Sequence, residues 1–478
     1  MRRREFMGAV AAAGFAVGAE AKPNIVVILA DDLGTGDVSC YNPEGKTRTP
    51  NLDKLANEGV RFTDAHSPSS VCTPTRYGVL TGQYCWRTQL KNGVLNGYSK
   101  NLIEPGRPTI ASMLKSAGYQ TGAFGKWHLG MGLTEPADYA KPLTPSPLDH
   151  GFDEYFGIPA SLDMPPYVFV DGRQAVEAPT GTIAGNHENK GPRGPFWRGG
   201  PRSPSFEMED VIPKITERAV YFIENARKTA PYFAYVPLPA PHTPWVPSKP
   251  YQGRSKIGLY GDFVEECDAS VGKILTAIEK RGETKNTLVI VTSDNGSPWS
   301  EPDINASQGH RANMYWRGQK ADIYEAGHRV PFLVRFPARV QAKQVSKATV
   351  CLTDIFATVA ETAGQGLPQN GAEDSFSIWP ALRGRNAQQA VRPHIVHHSA
   401  DGIFSIREGK WKMANALGSG GFTLPKRIEA APGSAPGTLF DLEKDPFEKD
   451  DLYAKRPAEV ARLNALLARV QTEGRSRI

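Results

Sequence analysis

The sequence predicts an α/β protein: a large mixed, mostly parallel sheet flanked by helices on both faces, plus a small C-terminal antiparallel sheet with one helix. Three observations carry that expectation. Short apolar runs of strand length alternate with segments of helical periodicity. The chain has 478 residues, 40% of them hydrophobic and 22% charged, which supplies a large core and excludes a mainly disordered chain. Past residue 385 the pattern changes to short strand-like pieces around a Gly/Ser/Pro-rich stretch, closed by one amphipathic helix.

Taken in order, residues 1–21 read as an export leader. Three arginines (Arg2 to Arg4) precede an apolar stretch from Gly8 to Gly18, and Ala19-Glu20-Ala21 offers a cleavage site. Arg3-Arg4-Glu5-Phe6-Met7 is similar to a twin-arginine signal, which implies the twin-arginine export machinery as a partner and a periplasmic or secreted product. An ordinary signal peptide or membrane anchor is the alternative. Nothing past residue 25 approaches the roughly 18 apolar residues of a span, so no stable membrane span is expected in the mature chain.

The main domain is expected over 22–385. Its predicted strands are 24–30, 120–124, 232–238, 288–292 and 331–336. Thr49-Pro50 opens a helix with Leu52, Leu55 and Ala56 on one face, ending at Gly59. Ile110, Met113, Leu114 and Ala117 mark a second helix, ending at Gly118. Residues 262–280 carry Val264, Cys267, Val271, Ile274, Leu275 and Ile278 at helical spacing. Residues 134–207, rich in Pro and Gly and weakly periodic, read as a loop region that shapes a substrate site. The C-terminal unit, 386–478, has strand-like pieces at 393–397, 402–407 and 411–414, and a helix over 457–472.

The net charge of +6 over this length is too small for a dedicated nucleic-acid binder and leaves an anionic substrate open. Five cysteines (Cys40, Cys72, Cys85, Cys267, Cys351) are odd in number, widely spaced and free of any C-x-x-C. A disulfide scaffold and a zinc knuckle are both poor fits. Cys267 lies on an apolar helical face and Cys351 is expected to start a helix, so both read as core residues.

The chemistry lies where the strands end. Asp31 and Asp32 follow the first strand, Lys126 and His128 the second, His242 the third, and Asp294 and Asn295 the fourth. In a parallel sheet these positions share one edge, where ligand sites form. Each alone is a turn, a cap or a solvated side chain; together they bring three carboxylates to one place. Such a cluster needs a cation, and the oxygen donors Asp31, Asp32, Asp294 and Asn295 favour Ca²⁺ or Mg²⁺ over zinc. Pro74 sets Cys72 at or just before a helix N-terminus, with Arg76 one turn on. Taken alone, Cys72 is either a low-pKa nucleophile or a buried structural thiol.

Cys72-Thr73-Pro74-Thr75-Arg76 matches the C-x-P-x-R signature of the formylglycine-dependent sulfatases. Asp31-Asp32, Thr49 to Asp53, Gly125 to Gly130, Gly151-Phe152-Asp153, Gly157 to Ser161, Pro241 to Pro244, Ser293 to Gly296, Gly318-Gln319-Lys320 and Leu439 to Leu442 resemble that family's other blocks, in order. The resemblance implies that a formylglycine-generating maturation enzyme oxidises Cys72, and that Ca²⁺ is held by Asp31, Asp32, Asp294, Asn295 and residue 72. It implies catalytic roles for Cys72, Arg76, Lys126, His128, His242 and Lys320. A hydrated formylglycine would attack sulfur, the alcohol would leave, and His128 would take a proton as sulfate is expelled. Ser161 resembles a sulfate-contacting position.

The implied substrate is a sulfate ester, expected to be a sulfated carbohydrate. His310 and Arg311, with Trp197, Arg198, Arg202, Trp316 and Arg317, stand in variable segments where they could stack on sugars and bind anionic groups. The competing readings are a phosphate or phosphonate ester hydrolase of the same superfamily and a catalytically silent glycan-binding relative. Lys126, His128, His242 and Lys320 favour the sulfate ester.

Overall fold

A computed structural model describes residues 22–186, 196–384 and 391–477. The expected leader and the boundary near 385 lie outside the described residues.

The strands of the main sheet are β1 (Asn24–Asp31), β2 (Val60–Phe62), β3 (Gln120–Lys126), β4 (Glu154–Ile158), β5 (Val170–Asp171), β6 (Gln174–Ala175), β7 (Tyr232–Pro241), β8 (Thr287–Ser293), β9 (Phe332–Arg335) and β10 (Gln344–Ser346). Among the described residues they form one sheet in the order β10-β2-β9-β8-β1-β7-β3-β4-β5-β6. The central run β8-β1-β7-β3-β4 is parallel. Towards one edge β9 and β2 pair antiparallel; towards the other, β5 and β6 do. The predicted strand at 331–336 is therefore β9, running against its neighbours.

β1 shows why the sequence folds this way. Ile25 to Leu29 are fully buried, because helices cover both faces of a parallel sheet. Ile25, Val27 and Leu29 enter one core with α2 (Cys72–Thr81), α3 (Ile110–Ser116) and α6 (Asp354–Thr362). Val26, Ile28 and Ala30 enter the other with α1 (Pro50–Asn57), α4 (Val211–Asn225) and α5 (Leu259–Lys280). The predicted apolar face of α5 is buried throughout, and the helix starts three residues earlier than its periodicity suggests.

Two expectations are corrected. The region 134–207 is not only loop: β4 lies in it and pairs with β3 along five residues. Gly157 hides this strand from pattern reading, yet it is required there, since a Cβ would stand 1.8 Å from Gly125 O. Cys351 does not start a helix. It sits in a two-residue strand, Val350–Cys351, and its N–H is capped by Asp354 of α6 at 2.8 Å. All five cysteines are free.

The C-terminal unit has four antiparallel strands in sequence order, β11 (Ile395–His398), β12 (Phe404–Glu408), β13 (Trp411–Ala414) and β14 (Thr438–Asp441). α7 (Pro457–Thr472) packs Val460, Leu463, Leu467 and Val470 on this sheet, in a core shared with Tyr84, Trp86 and Cys351 of the main unit. Ser70 N donates to His398 O at 3.1 Å, and Ala400 N to Ala321 O at 2.9 Å, tying this sheet to the loops beside Cys72 and Lys320. No helix among the described residues is long and apolar enough to cross a membrane.

Candidate active site

The four central strands β8, β1, β7 and β3 deliver their last residues to one edge. β1 ends in Asp31, and Asp32 follows with φ 66°; β3 ends in Lys126, and His128 follows with φ 57°. Non-glycine residues held in the left-handed region mark a site where the surrounding structure sets the backbone. β7 delivers His242, and β8 delivers Asp294 and Asn295. Cys72 is the first residue of α2 and is 2% exposed.

These side chains form one buried charge network. Lys126 Nζ stands 2.6 Å from Asp31 Oδ2, and Lys320 Nζ 2.6 Å from Asp32 Oδ1. Arg76 donates to Asp294 Oδ2 through Nε at 3.0 Å and Nη2 at 2.7 Å, to Lys126 O through Nη1 at 3.1 Å, and lies 3.5 Å from Asp31 Oδ1. Asn295 Nδ2 donates to Asp32 Oδ1 at 2.7 Å. Burial alone would raise Asp31, but Lys126, His242, Arg76 and Lys320 hold its carboxyl well below the usual carboxylate range. Asp294 goes the other way, raised by burial and by repulsion from Asp31.

The two histidines differ in which nitrogen is free. His128 Nε2 lies 2.7 Å from Leu95 O, so it carries the proton, and Nδ1 presents a lone pair with no partner among the described residues. Burial, with Lys126 and Arg76 nearby, holds this ring well below the ordinary imidazole value, so it is neutral. His242 Nδ1 lies 2.6 Å from Thr243 O, leaving Nε2 to face Asp32 Oδ2 at 3.7 Å. Burial pushes the Cys72 thiol up, with Lys126 and Lys320 offsetting it only in part, which makes an unmodified thiolate nucleophile a poor fit.

The donor set fits a hard cation. Asp31 Oδ1 and Asn295 Oδ1 are buried with no hydrogen-bond partner among the described residues. Ligand atoms of Asp31, Cys72 and Asp294 lie within 4.8 Å of one another. A divalent ion there would occupy the orphaned oxygens and relieve the repulsion that raises Asp294.

A cavity of about 530 Å³ opens onto this network, lined by Asp32, Cys72, His242 and Lys320 on its floor and by Asp163, Phe196 and Arg198 on its wall. Asp163 escaped the sequence reading. It is 4% exposed; Oδ2 accepts from Arg198, while Oδ1, without a hydrogen bond among the described residues, lies 4.0 Å from His242 Nδ1. It stands past the end of β4 in the Pro/Gly-rich region, and the signal that could have found it was that unrecognised strand.

The predicted substrate contacts separate. Ser161 is buried, its hydroxyl without a partner among the described residues, beside a different, much smaller cavity. His310 is buried and used internally: Nδ1 accepts from Lys46 N at 3.2 Å, and Nε2 donates to Asp37 at 2.8 Å. Arg311, Trp316 and Arg317 line a groove next to the cavity. Arg198 reaches the cavity, whereas Trp197 and Arg202 line a separate one with Tyr167 and Trp245.

Comparison with known proteins agrees with this geometry. The family profile described as Sulfatase matches residues 23–365. An N-acetylgalactosamine-6-O-sulfatase of Bacteroides thetaiotaomicron is 35% identical over 484 residues, covering 94% of this chain and 93% of its own. A mouse steryl-sulfatase is 32% identical, covering 90% and 78%. A solved structure from work on glycosaminoglycan metabolism by Bacteroides thetaiotaomicron superposes with a TM-score of 0.83 at 34% identity, covering 94% of this chain and 99% of that one.

Proposed function

The chain belongs to the sulfatase family, and from that membership we propose that it hydrolyses O-sulfate monoesters of carbohydrates, using a formylglycine made from Cys72 and a bound Ca²⁺. The observation that carries the reading is the position of Cys72, at the head of a buried helix, beside the carboxylates of Asp31 and Asp294 and the lysines Lys126 and Lys320, in a cavity shared with Asp32 and His242.

Ca²⁺ held by Asp31, Asp32, Asp294, Asn295 and residue 72 would supply positive charge to the sulfate oxygens and to the nucleophile. Formylglycine, as its hydrate, supplies an oxygen nucleophile together with a second hydroxyl through which sulfate can be expelled. The remaining work belongs to the chain's own side chains. Lys126 and Lys320, both buried, add fixed positive charge where the transferring group gains negative charge. Arg76 holds the Asp294 and Asp31 carboxylates in place. His242, anchored through Nδ1, in its imidazolium form gives a proton from Nε2 to the leaving alkoxide. His128 Nδ1 takes the proton from residue 72 as sulfate departs.

N-Acetylgalactosamine 6-O-sulfate is the first substrate to test, given the name of the 35% identical relative. The leader at 1–21 would send the chain to the periplasm or beyond, where such polymers are found. Mass spectrometry of the residue-72 peptide, from protein made with a maturation enzyme, should show the thiol replaced by an aldehyde. Sulfate release from that sugar should exceed phosphate release from the matched phosphate ester by about tenfold or more in kcat/KM. A preference for phosphate would favour a phosphate-ester hydrolase, and an unmodified, inactive protein from its native host a silent glycan binder.

A further inference from the structure

Resting on the sulfatase reading above, we propose that the groove beside the active-site cavity binds the continuing chain of an anionic glycan, so that the enzyme acts on a sulfated residue of an oligosaccharide in preference to the free sugar. The groove encloses about 800 Å³. Tyr315, Phe422, Leu424 and Phe447 line it and are 59%, 49%, 77% and 36% exposed, an unusual gathering of large apolar side chains at the surface.

The groove and the catalytic cavity adjoin. Phe422 lines both, and consecutive residues divide between them: Pro298 and Lys320 border the cavity, Trp299 and Gln319 the groove. The shared wall is fixed in place. Asp322 Oδ1 accepts from Phe422 N at 2.8 Å and from Thr423 N at 3.0 Å, while Oδ2 accepts from Gln319 N at 2.9 Å. Phe422, held through its backbone by Asp322 two residues beyond Lys320, therefore stands where a chain leaving the cavity enters the groove.

The charge of the groove selects the occupant. Arg311, Arg317 and Lys449 line it together with two carboxylates, Glu301, which pairs with Arg311, and Glu448, whose Oε1 pairs with Lys412 at 2.8 Å. Arg311 lies 3.7 Å from Glu301 and over the Tyr315 ring at 4.9 Å. Arg317 donates to Glu448 O at 2.7 Å and lies over the Tyr324 ring at 3.9 Å; neither it nor Lys449 has a carboxylate partner among the described residues. Aromatic faces interleaved with Arg317 and Lys449, the two cations left without a carboxylate among the described residues, suit sugar rings bearing sulfates or carboxylates. A neutral glycan would use the rings and leave the cations idle.

The test is a chain-length series: 6-O-sulfated N-acetylgalactosamine alone, and as the terminal residue of a disaccharide and a tetrasaccharide alternating with a hexuronate. In the wild type, kcat/KM should rise about tenfold from the free sugar to the tetrasaccharide. The double variant Phe447→Ala, Lys449→Glu should lose that gain while keeping the free-sugar value within about twofold. Equal kcat/KM at every length, or a gain that survives the double variant, would overturn the proposal. Calorimetric titration of full-length protein with a desulfated hexuronate-containing hexasaccharide reads the groove without turnover. If no sulfate ester is cleaved, the sulfatase reading fails, while binding that the double variant abolishes still supports the groove; absence of binding in the wild type overturns it.

Discussion

Arg76 is fully buried, and its guanidinium serves Asp294 twice, Lys126 O once and Asp31 at longer range. A lysine keeps the charge but cannot reproduce a planar fork. Arg76→Lys should lower kcat/KM by about a hundredfold and stability by about 2 kcal/mol, checked by initial rates and urea unfolding. The carboxylates it holds make a second prediction. With Asp31 and Asp294 repelling across orphaned oxygens, Ca²⁺ should raise the melting temperature and a chelator should lower it, read by thermal unfolding without substrate. Replacing Asp31 and Asp294 with Asn should abolish that shift; a shift of equal size in the variant would place the ion elsewhere. Asp31, Asp32, Lys126, His128, His242, Asp294 and Asn295 were legible because each follows an apolar run in sequence. Asp163 was not, since the strand before it contains Gly157 and its carboxylate gains meaning only from the fold, facing His242. His310 had the right composition for a sugar contact, but its role is set by Asp37 and Lys46, which no local pattern connects to it.

At the scale of elements, the site depends on how closely β3 and β4 approach. A Cβ on Gly157 would meet Gly125 O at 1.8 Å, and one on Gly125, at φ 143°, would meet Pro237 O at 2.0 Å. Beyond this contact Trp127 N donates to Ile158 O at 3.0 Å and His128 N to Pro159 O at 2.9 Å, so strand spacing is transmitted to His128. Gly157→Ala should cost about 2–4 kcal/mol and lower kcat more than KM changes; denaturant melts beside steady-state kinetics check both. Retained stability with full activity would show that the two strands can part without moving His128. A second junction joins the C-terminal sheet to the short strand Ala65–His66 and the helical turn Glu325–His328. His66, His328 and His397 meet there, with His66 Nδ1 3.0 Å from His328 Nδ1, and His328 stacked on His397 at 3.8 Å and 8°. Two parallel rings cannot aim in-plane lone pairs at one ion, so the trio reads as a packed hydrogen-bonded seam and not a metal centre. The change of pattern late in the sequence pointed to the small C-terminal sheet. The seam was invisible there, because its three histidines come from separate segments.

Across the whole molecule, burial sets the response to acid. Desolvation lowers His66, His128, His150, His328, His394, His397 and His398, with His150, His394 and His398 brought to about 4. In the unfolded chain each would titrate near 6.5. Below that value the unfolded state takes up protons that the fold refuses, so stability is complete above pH 6.5 and falls as pH drops towards the folded values. Asp268, raised to about 6 by burial, opposes this below pH 6, as do the raised Glu266 and Glu448. Comparing a variant with the wild type removes those shared contributions. At the seam, His397 faces His66 and His328, with Asp64, Glu325, Glu448, Lys412, Arg329 and Arg407 around them. Asp64 and Glu325 are held well below the usual range by their cationic partners against the pull of burial, so they stay charged through this window. His397→Asn keeps a donor to Ser67 O, which His397 Nδ1 reaches at 3.0 Å, and removes the titrating ring. Its stability should therefore fall less steeply than the wild type's between pH 6.5 and 5.5, by about 1 kcal/mol over that unit. Urea unfolding at the two pH values measures the slope. An identical slope in both proteins would mean that His397 takes up its proton inside the fold, and that the seam tolerates charge which its burial and its cationic neighbours argue against.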